Sequence, residues 1–135
     1  MNINKQGVCA FIVNSKNQVL MLDHVKHDKL ALPGGKVDPG EDAVFAIARE
    51  LYEEVGIQNF TLGDHHVVLD DVTGVLFHIF VVMTKDTPFN KEPKKHRAML
   101  WVDSRPENFK GNINRITFTA LKKIGYDVGT DEYID

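Results

Sequence analysis

The chain has 135 residues, 43% hydrophobic and 26% charged, which is usual for a globular protein and gives room for one domain. Its net charge of −3 argues against a protein dedicated to duplex DNA, because such proteins present a strongly basic face. Cys9 is the only cysteine, which excludes an intrachain disulfide, and no apolar run approaches the roughly 20 residues that span a bilayer. We therefore expect one cytoplasmic domain over residues 1–135, without a membrane partner.

The first part of the chain predicts two strands. Residues 6–14 form a mostly apolar, β-rich run, which is typical of a strand with a buried face. Residues 15–17 have the polar composition of a turn, and residues 18–25 are predicted to return as the second strand of a hairpin. Residues 26–29 are polar and predict a solvated loop; the alternative is a loop that reaches over a bound nucleotide.

Residues 32–57 hold the most distinctive pattern. A loop rich in glycine and proline, residues 32–40, precedes a helix that we expect to be capped by Asp42 and ended by Gly56. Apolar residues at helical spacing predict the buried face of this helix: Val44, Ile47, Ala48, Leu51 and Val55.

The opposite face of that helix carries three carboxylates. Glu50, Glu53 and Glu54 fall within about 100° of one another around a helix, so their charges repel. A divalent cation held by oxygen ligands relieves this repulsion; the alternative is an acidic, solvated surface. The glycine loop at a fixed distance ahead favours the cation.

The second half of the chain predicts more strands and a closing helix. Residues 65–72 and 75–85 are expected to be strands, the second central because it is apolar on both faces. A loop over residues 86–97 and a strand over 99–102 follow. Ser104 and Glu107 have the spacing of a capping box, and a last helix is predicted from Asn112 to Ile124. The inward residues of that helix are expected to be Ile113, Ile116, Ala120, Leu121 and Ile124, with Gly125 ending it and an acidic tail beyond. These patterns alone indicate an α/β or α+β domain.

One motif identifies a family. The segment Gly35, five residues, Glu41, seven residues, then residues 49–57 (RELYEEVGI) resembles the Nudix box at every defined position. The resemblance implies a Nudix hydrolase, an enzyme that splits a diphosphate linkage in a nucleoside diphosphate derivative. It also implies an α/β/α sandwich with a mixed sheet between helices.

The resemblance assigns roles to residues of the box. It implies Mg²⁺, with Mn²⁺ as a substitute, bound by the Gly34 carbonyl and by Glu50, Glu53 and Glu54. Glu50 is our first choice to activate water, either as a base or as a metal ligand. Arg49 is expected to orient the carboxylates, and Glu41 to support the same scaffold.

Residues after the box bear on the substrate. Residues 90–95 (NKEPKK), followed by Leu100-Trp101-Val102, resemble a segment of Nudix proteins that cleave nucleoside triphosphates. There the glutamate before the proline approaches the metal, so Glu92 is the competing base. The proline typical of ADP-ribose hydrolases is absent, since residues 71–74 are DVTG, and the tyrosine of diadenosine-polyphosphate hydrolases is also absent. We therefore expect a MutT-like pyrophosphatase that cleaves a (deoxy)nucleoside triphosphate to the monophosphate and pyrophosphate, as in sanitation of a nucleotide pool.

The substrate contacts are less constrained. Candidates are Gly35, Lys36, Asn112 and Asn114, although either asparagine could simply cap the last helix. His65, His66 and His78 lack zinc-ligand spacing and are interpreted as ordinary histidines. The expected partner is a small nucleotide, and the protein is expected to be a monomer or homodimer.

Three alternatives stay open. The first is a hydrolase of a larger diphosphate, such as a nucleotide sugar, a dinucleoside polyphosphate or a capped RNA end. The second is a module that binds nucleotides without turnover, and the third is a structural acidic helix. The nucleobase that the protein prefers in its substrate is left open in every case.

Overall fold

The computed structural model describes residues 5–26, 28–103 and 113–125. Within these ranges, strands and helices follow one another in this order: β1 (Gln6–Ile12), β2 (Gln18–His24), β3 (Lys29–Ala31), β4 (Gly34–Lys36), α1 (Ala43–Val55), β5 (Phe60–Leu69), β6 (Leu76–Thr84), β7 (His96–Asp103) and α2 (Arg115–Lys123). No helix in the described part of the chain is both long and apolar enough to cross a membrane.

The strands form two sheets. One is mixed, with the order β4-β1-β6-β5, because β1 pairs with β6 in parallel and the other pairs are antiparallel. The other is antiparallel, with the order β3-β2-β7. β6 lies between two strands, as its two apolar faces predicted.

The predicted hairpin of the first two strands is wrong. Asn17 adopts a left-handed conformation (φ 59°) and reverses the chain. The chain segments on either side then meet at an isolated bridge between Val13 and Val19, and not along a ladder of paired residues. Beyond it they separate, because β1 takes β4 and β6 as partners while β2 takes β3 and β7.

The helices cover opposite faces of the sheets. Side chains of a strand alternate between faces, and in β1 Val8 and Ala10 pack in one core with α1, whereas Cys9 and Phe11 pack in another with α2. β2 is divided in the same way. The predicted fold class, an α/β/α sandwich with a mixed sheet between helices, is confirmed, and the structure adds an antiparallel sheet.

Most features of α1 agree with the sequence analysis. The Asp42 side chain accepts the Phe45 N–H, and Gly56 is left-handed (φ 70°) and caps the last turn. The predicted buried face is wrong at Val44, which is 52% exposed, and Ala48 is only partly buried, whereas Ala46 is fully buried. Successive helix residues differ by 100°, so Val44 lies on the stripe of Ile47 and Leu51. Its exposure therefore depends on what packs against the first turn of α1 and not on its angle around the helix.

The last helix begins later than predicted. Asn114 caps it, and Ile113, Ala120 and Leu121 are buried together with Phe118, which the sequence analysis did not include. Asn112, the capping box and the acidic tail lie outside the described residues.

Candidate active site

The glycine loop lies directly against α1. β4 pairs with β1, and the Gly34 N–H donates to Glu54 Oε1 at 2.7 Å. A Cβ atom on Gly35 would lie 2.5 Å from Glu50 Oε1. The Gly34 backbone therefore binds one carboxylate, and Gly35 leaves the space that the other carboxylate occupies.

Arg49 connects the loop to the helix. Its Nε donates to Glu41 at 2.7 Å, and its Nη1 donates to both Glu50 and Glu53 at 2.9 Å. Its Nη2 donates to the Lys36 carbonyl, also at 2.9 Å. This matches the orienting position expected for Arg49, and Glu41 lies in the same network.

Charge in the cluster is not balanced. The bond from Arg49 lowers the pKa of Glu41. Burial raises the pKa of Glu50, with Arg49 opposing the shift. Burial, followed by the nearby charges of Glu50 and Glu92, raises the pKa of Glu54 to about 8. Burial is thus the main cause of the raised pKa of both inner carboxyl groups, and repulsion between the carboxylates adds to it.

The loop before β7 completes the cluster. The Lys91 N–H donates to the Glu54 carbonyl at 3.0 Å, which fixes this loop to the end of α1. Glu92 and His96 are thereby brought to Glu54, and one potential ligand atom from each of the three lies within 4.8 Å of the others. Glu92 also pairs with Lys95 at 3.2 Å.

His96 was missed by the sequence analysis. The sequence analysis places it in the loop over residues 86–97, but the structure buries it completely at the start of β7. Its Nε2 lies 3.6 Å from Glu54 Oε2, and neither ring nitrogen has a hydrogen-bond partner among the residues that the structure describes. The sequence feature that could have pointed to it is its position four residues after Glu92, directly before an apolar strand.

These donors suit a divalent cation. Glu50, Glu54 and Glu92 supply carboxylate oxygens that repel one another without an ion, and Glu53, 45% exposed, borders them. Oxygen ligands of this kind are those that Mg²⁺ and Mn²⁺ take in proteins. The residues present therefore fit the ion that the Nudix resemblance implies.

A cleft of about 170 Å³ adjoins the glycine loop. Its lining includes Gly34 and Gly35 of the glycine loop, Asn114 and Thr117, and Phe77. The Asn114 side chain accepts the Thr117 N–H at 2.8 Å, so it caps α2 as well.

Other expected contacts lie elsewhere. The Lys36 side chain is exposed, and Lys36 is not among the residues that line the cleft. A wider depression of about 600 Å³ is lined by residues 58–61 and 83–85, with none of the carboxylates named above among them. His65 and His78 bond each other at 2.9 Å, in keeping with their interpretation as ordinary histidines.

The match to known proteins covers most of the chain. The family model for the NUDIX domain matches residues 4–115. A MutT NUDIX hydrolase from Burkholderia pseudomallei superimposes with a TM-score of 0.66 at 26% identity, covering 89% of this chain and 97% of that one.

Curated relatives are similar over shorter segments. A protein of Bacillus subtilis (strain 168), provisionally named an 8-oxo-dGTP diphosphatase, is 41% identical over 51 residues, 38% of this chain and 34% of that protein. The RNA pyrophosphohydrolase of Ruthia magnifica subsp. Calyptogena magnifica is 46% identical over 53 residues, 39% of this chain and 30% of that protein. This chain thus spans about a third of those two relatives.

A third relative matches over a greater length. The CTP pyrophosphohydrolase of Escherichia coli (strain K12) is 29% identical over 99 residues, 70% of this chain and 73% of that protein. The domain match over residues 4–115, the shared fold and the carboxylate cluster on α1 together show that the chain belongs to the Nudix hydrolase family.

Proposed function

We propose that this protein is a metal-dependent pyrophosphohydrolase that cleaves a (deoxy)nucleoside triphosphate to the monophosphate and pyrophosphate. The observation that supports this most is the position of Glu50 and Glu54 against the glycine loop, with Glu92 beside them and a small cleft adjoining. Mg²⁺ is the proposed ion, with Mn²⁺ as a substitute. Glu50, Glu53, Glu54 and the Gly34 carbonyl are the proposed ligands.

The reaction requires catalysis because anionic phosphate oxygens repel a nucleophile and because neutral water is a weak nucleophile. The bound ion supplies charge neutralisation and acidifies water. Glu50 is the residue we assign to accept the proton as water attacks phosphorus and the bridging P–O bond to the leaving group breaks. Arg49 holds Glu50 Oε1, so we assign the proton to Oε2. The raised pKa of Glu50 makes it a better base.

Glu92 is the competing base. It lies next to Glu54 and is 26% exposed, so water can reach it. Its pairing with Lys95 holds it at the edge of the cluster, whereas Glu50 lies under the glycine loop. We therefore keep Glu50 as the first choice.

The substrate class is supported by size and similarity. At about 170 Å³ the cleft is smaller than the roughly 300–1,000 Å³ typical of sites for drug-sized ligands, which favours one base or nucleoside. The relative that aligns over 70% of this chain is named for CTP, a nucleoside triphosphate. The buried, free Cys9 agrees with the reducing cytoplasm that we propose as its location.

The alternative within the same chemistry is hydrolysis of a larger diphosphate. The 46% identity to an RNA pyrophosphohydrolase favours a triphosphorylated or capped RNA end among these. A nucleotide-binding module without turnover is the alternative from another class, and the presence of every box carboxylate argues against it.

A substrate panel tests the proposal. Purified protein would be incubated with Mg²⁺ and canonical or oxidised nucleoside triphosphates, ADP-ribose, diadenosine polyphosphates, nucleotide sugars and 5′-triphosphorylated RNA. We expect monophosphate plus pyrophosphate from one or a few triphosphates, and loss of this activity in Glu50→Gln. Activity only on the larger compounds would overturn the substrate class, and binding without turnover would overturn the enzymatic assignment.

A further inference from the structure

We propose that His96 is a nitrogen ligand to a divalent metal ion that it shares with Glu54 and Glu92, and that this ligand raises the affinity for Mn²⁺ more than the affinity for Mg²⁺. The inference deepens the proposed function, because it concerns the same metal-binding region. It adds a ligand that lies outside the Nudix box and a difference in its effect on the two ions.

The distances support shared coordination. Nε2 of His96 and Oε2 of Glu54 are 3.6 Å apart, which is too long for a hydrogen bond between an imidazole and a carboxylate. Two ligands each about 2.1 Å from one ion lie roughly 3–4 Å apart. The potential ligand atoms of Glu54, Glu92 and His96, all within 4.8 Å of one another, therefore need only small movements to close on one ion.

The ring nitrogens of His96 support the same conclusion. A histidine buried for packing alone normally satisfies at least one nitrogen, because an unsatisfied buried polar atom costs about 1–3 kcal/mol. His96 is fully buried, and within the described part of the chain both nitrogens lack a hydrogen bond. A metal ion between His96 and the two carboxylates would occupy one nitrogen and neutralise the acidic charge.

The backbone holds His96 in this position. Its N–H donates to the Glu92 carbonyl at 2.9 Å, and its own carbonyl accepts from Asn90 Nδ2 at 2.7 Å. The His24 ring packs edge-on against it, with centroids 4.6 Å apart. On the other side, the Gly34 N–H binds Oε1 of Glu54, while Oε2 is the oxygen nearest Nε2 of His96. The cluster is therefore constrained before any ion binds.

The larger gain in affinity for Mn²⁺ follows from ligand chemistry. Mg²⁺ takes oxygen ligands almost exclusively, whereas imidazole is a good ligand for first-row transition metals. A site with two carboxylates and one imidazole should therefore gain more affinity for Mn²⁺ than for Mg²⁺.

Electron paramagnetic resonance on the metal-free full chain titrated with Mn²⁺ tests the assignment without measuring turnover. We expect the bound Mn²⁺ of the unmodified protein to show the hyperfine coupling of a directly bound imidazole nitrogen. His96→Asn should abolish that coupling and raise the Mn²⁺ dissociation constant at least about tenfold. The Mg²⁺ dissociation constant, from competition, should change less than about threefold.

His78→Asn is the matched control, since His78 is half-buried in β6 and bonds His65 and Gln6. It should keep both the coupling and the affinity. Absence of nitrogen coupling in the unmodified protein, or its persistence in His96→Asn, would overturn the assignment. Equal losses of Mn²⁺ and Mg²⁺ affinity would overturn the larger effect on Mn²⁺. Nitrogen coupling without triphosphate hydrolysis would refute the proposed function alone, and hydrolysis without coupling would refute the role of His96 alone.

Discussion

Arg49 links the glycine loop to α1 and fixes the position of one relative to the other. It donates to two box glutamates, to Glu41 and to the Lys36 carbonyl, so its planar guanidinium fixes carboxylates and backbone together. A lysine supplies the same charge but not this fork of donors.

We expect Arg49→Lys to lower kcat by about 10–100-fold with little change in KM, because the carboxylates lose their orientation while the cleft is preserved. Steady-state kinetics checks this. Arg97→Lys is the control, since Arg97 pairs with Asp23 and Asp28 on the surface. Full kcat in Arg49→Lys would show that the guanidinium geometry is unimportant.

Glu54 gives a second prediction at this scale. Glu54→Gln keeps the shape and an oxygen for the Gly34 N–H but removes a ligand charge. We expect turnover to fall at least about 100-fold, because metal stabilisation of the transition state is worth several kcal/mol. The melting temperature of the metal-free protein should change little, since burial already disfavours the charged form of Glu54.

Glu53→Gln tests the exposed neighbour. Turnover is expected to be lost there as well, without loss of fold, by circular dichroism. Retained activity in both variants would be incompatible with the proposed metal ligands.

At the scale of elements, β4 and α1 make contact through glycine. A Cβ at Gly34 would lie 2.0 Å from the Val8 carbonyl oxygen, whereas a Cβ at Gly35 meets the movable end of Glu50. The two glycines therefore serve different purposes: Gly34 allows pairing with β1, and Gly35 gives space to a carboxylate.

Gly35→Ala should displace the Glu50 carboxylate and reduce kcat by about 10–100-fold. The free energy of unfolding should fall by less than about 1.5 kcal/mol, because a flexible side chain can move aside. Gly40→Ala is the control: Gly40 has φ +85° with open space around it, so about 1–2 kcal/mol of stability should be lost without loss of kcat. Steady-state kinetics and urea unfolding measure the two effects. Unchanged kcat in Gly35→Ala would contradict this account.

At the scale of the whole molecule, two cores on opposite faces of the sheets hold the site in place. Leu51 is buried in the first core on the same helix that carries Glu50 and Glu54. The apolar side of α1 therefore fixes the height and rotation at which its carboxylates meet the glycine loop.

Leu51→Ala should lower the free energy of unfolding by about 2–5 kcal/mol, because it leaves a cavity in a packed core. Val44→Ala on the same helix should change it by less than about 0.5 kcal/mol, since Val44 is 52% exposed. Urea denaturation measures both. Similar losses of unfolding free energy in the two variants would show that Val44 belongs to the buried face of α1, as expected from the sequence.

Local sequence determined α1, its caps and the Nudix box, because helical periodicity, Asp42, Gly56 and the box spacing act within a few residues of chain. It also indicated that Glu50, Glu53 and Glu54 share a face. The exposure of Val44 was not predicted, because Val44 lies on the apolar stripe of the helical wheel and its burial is settled only by what packs against the first turn of α1.

Only the tertiary structure decided the rest. The separation of β1 and β2 into two sheets depends on partners distant in the chain, β6 and β7, which no local turn pattern encodes. The meeting of Glu54 with His96 depends on a loop that bonds to the end of α1, so a histidine within a basic run becomes fully buried beside two carboxylates. Burial and contact across 42 residues of chain are properties of packing, and local pattern does not specify them.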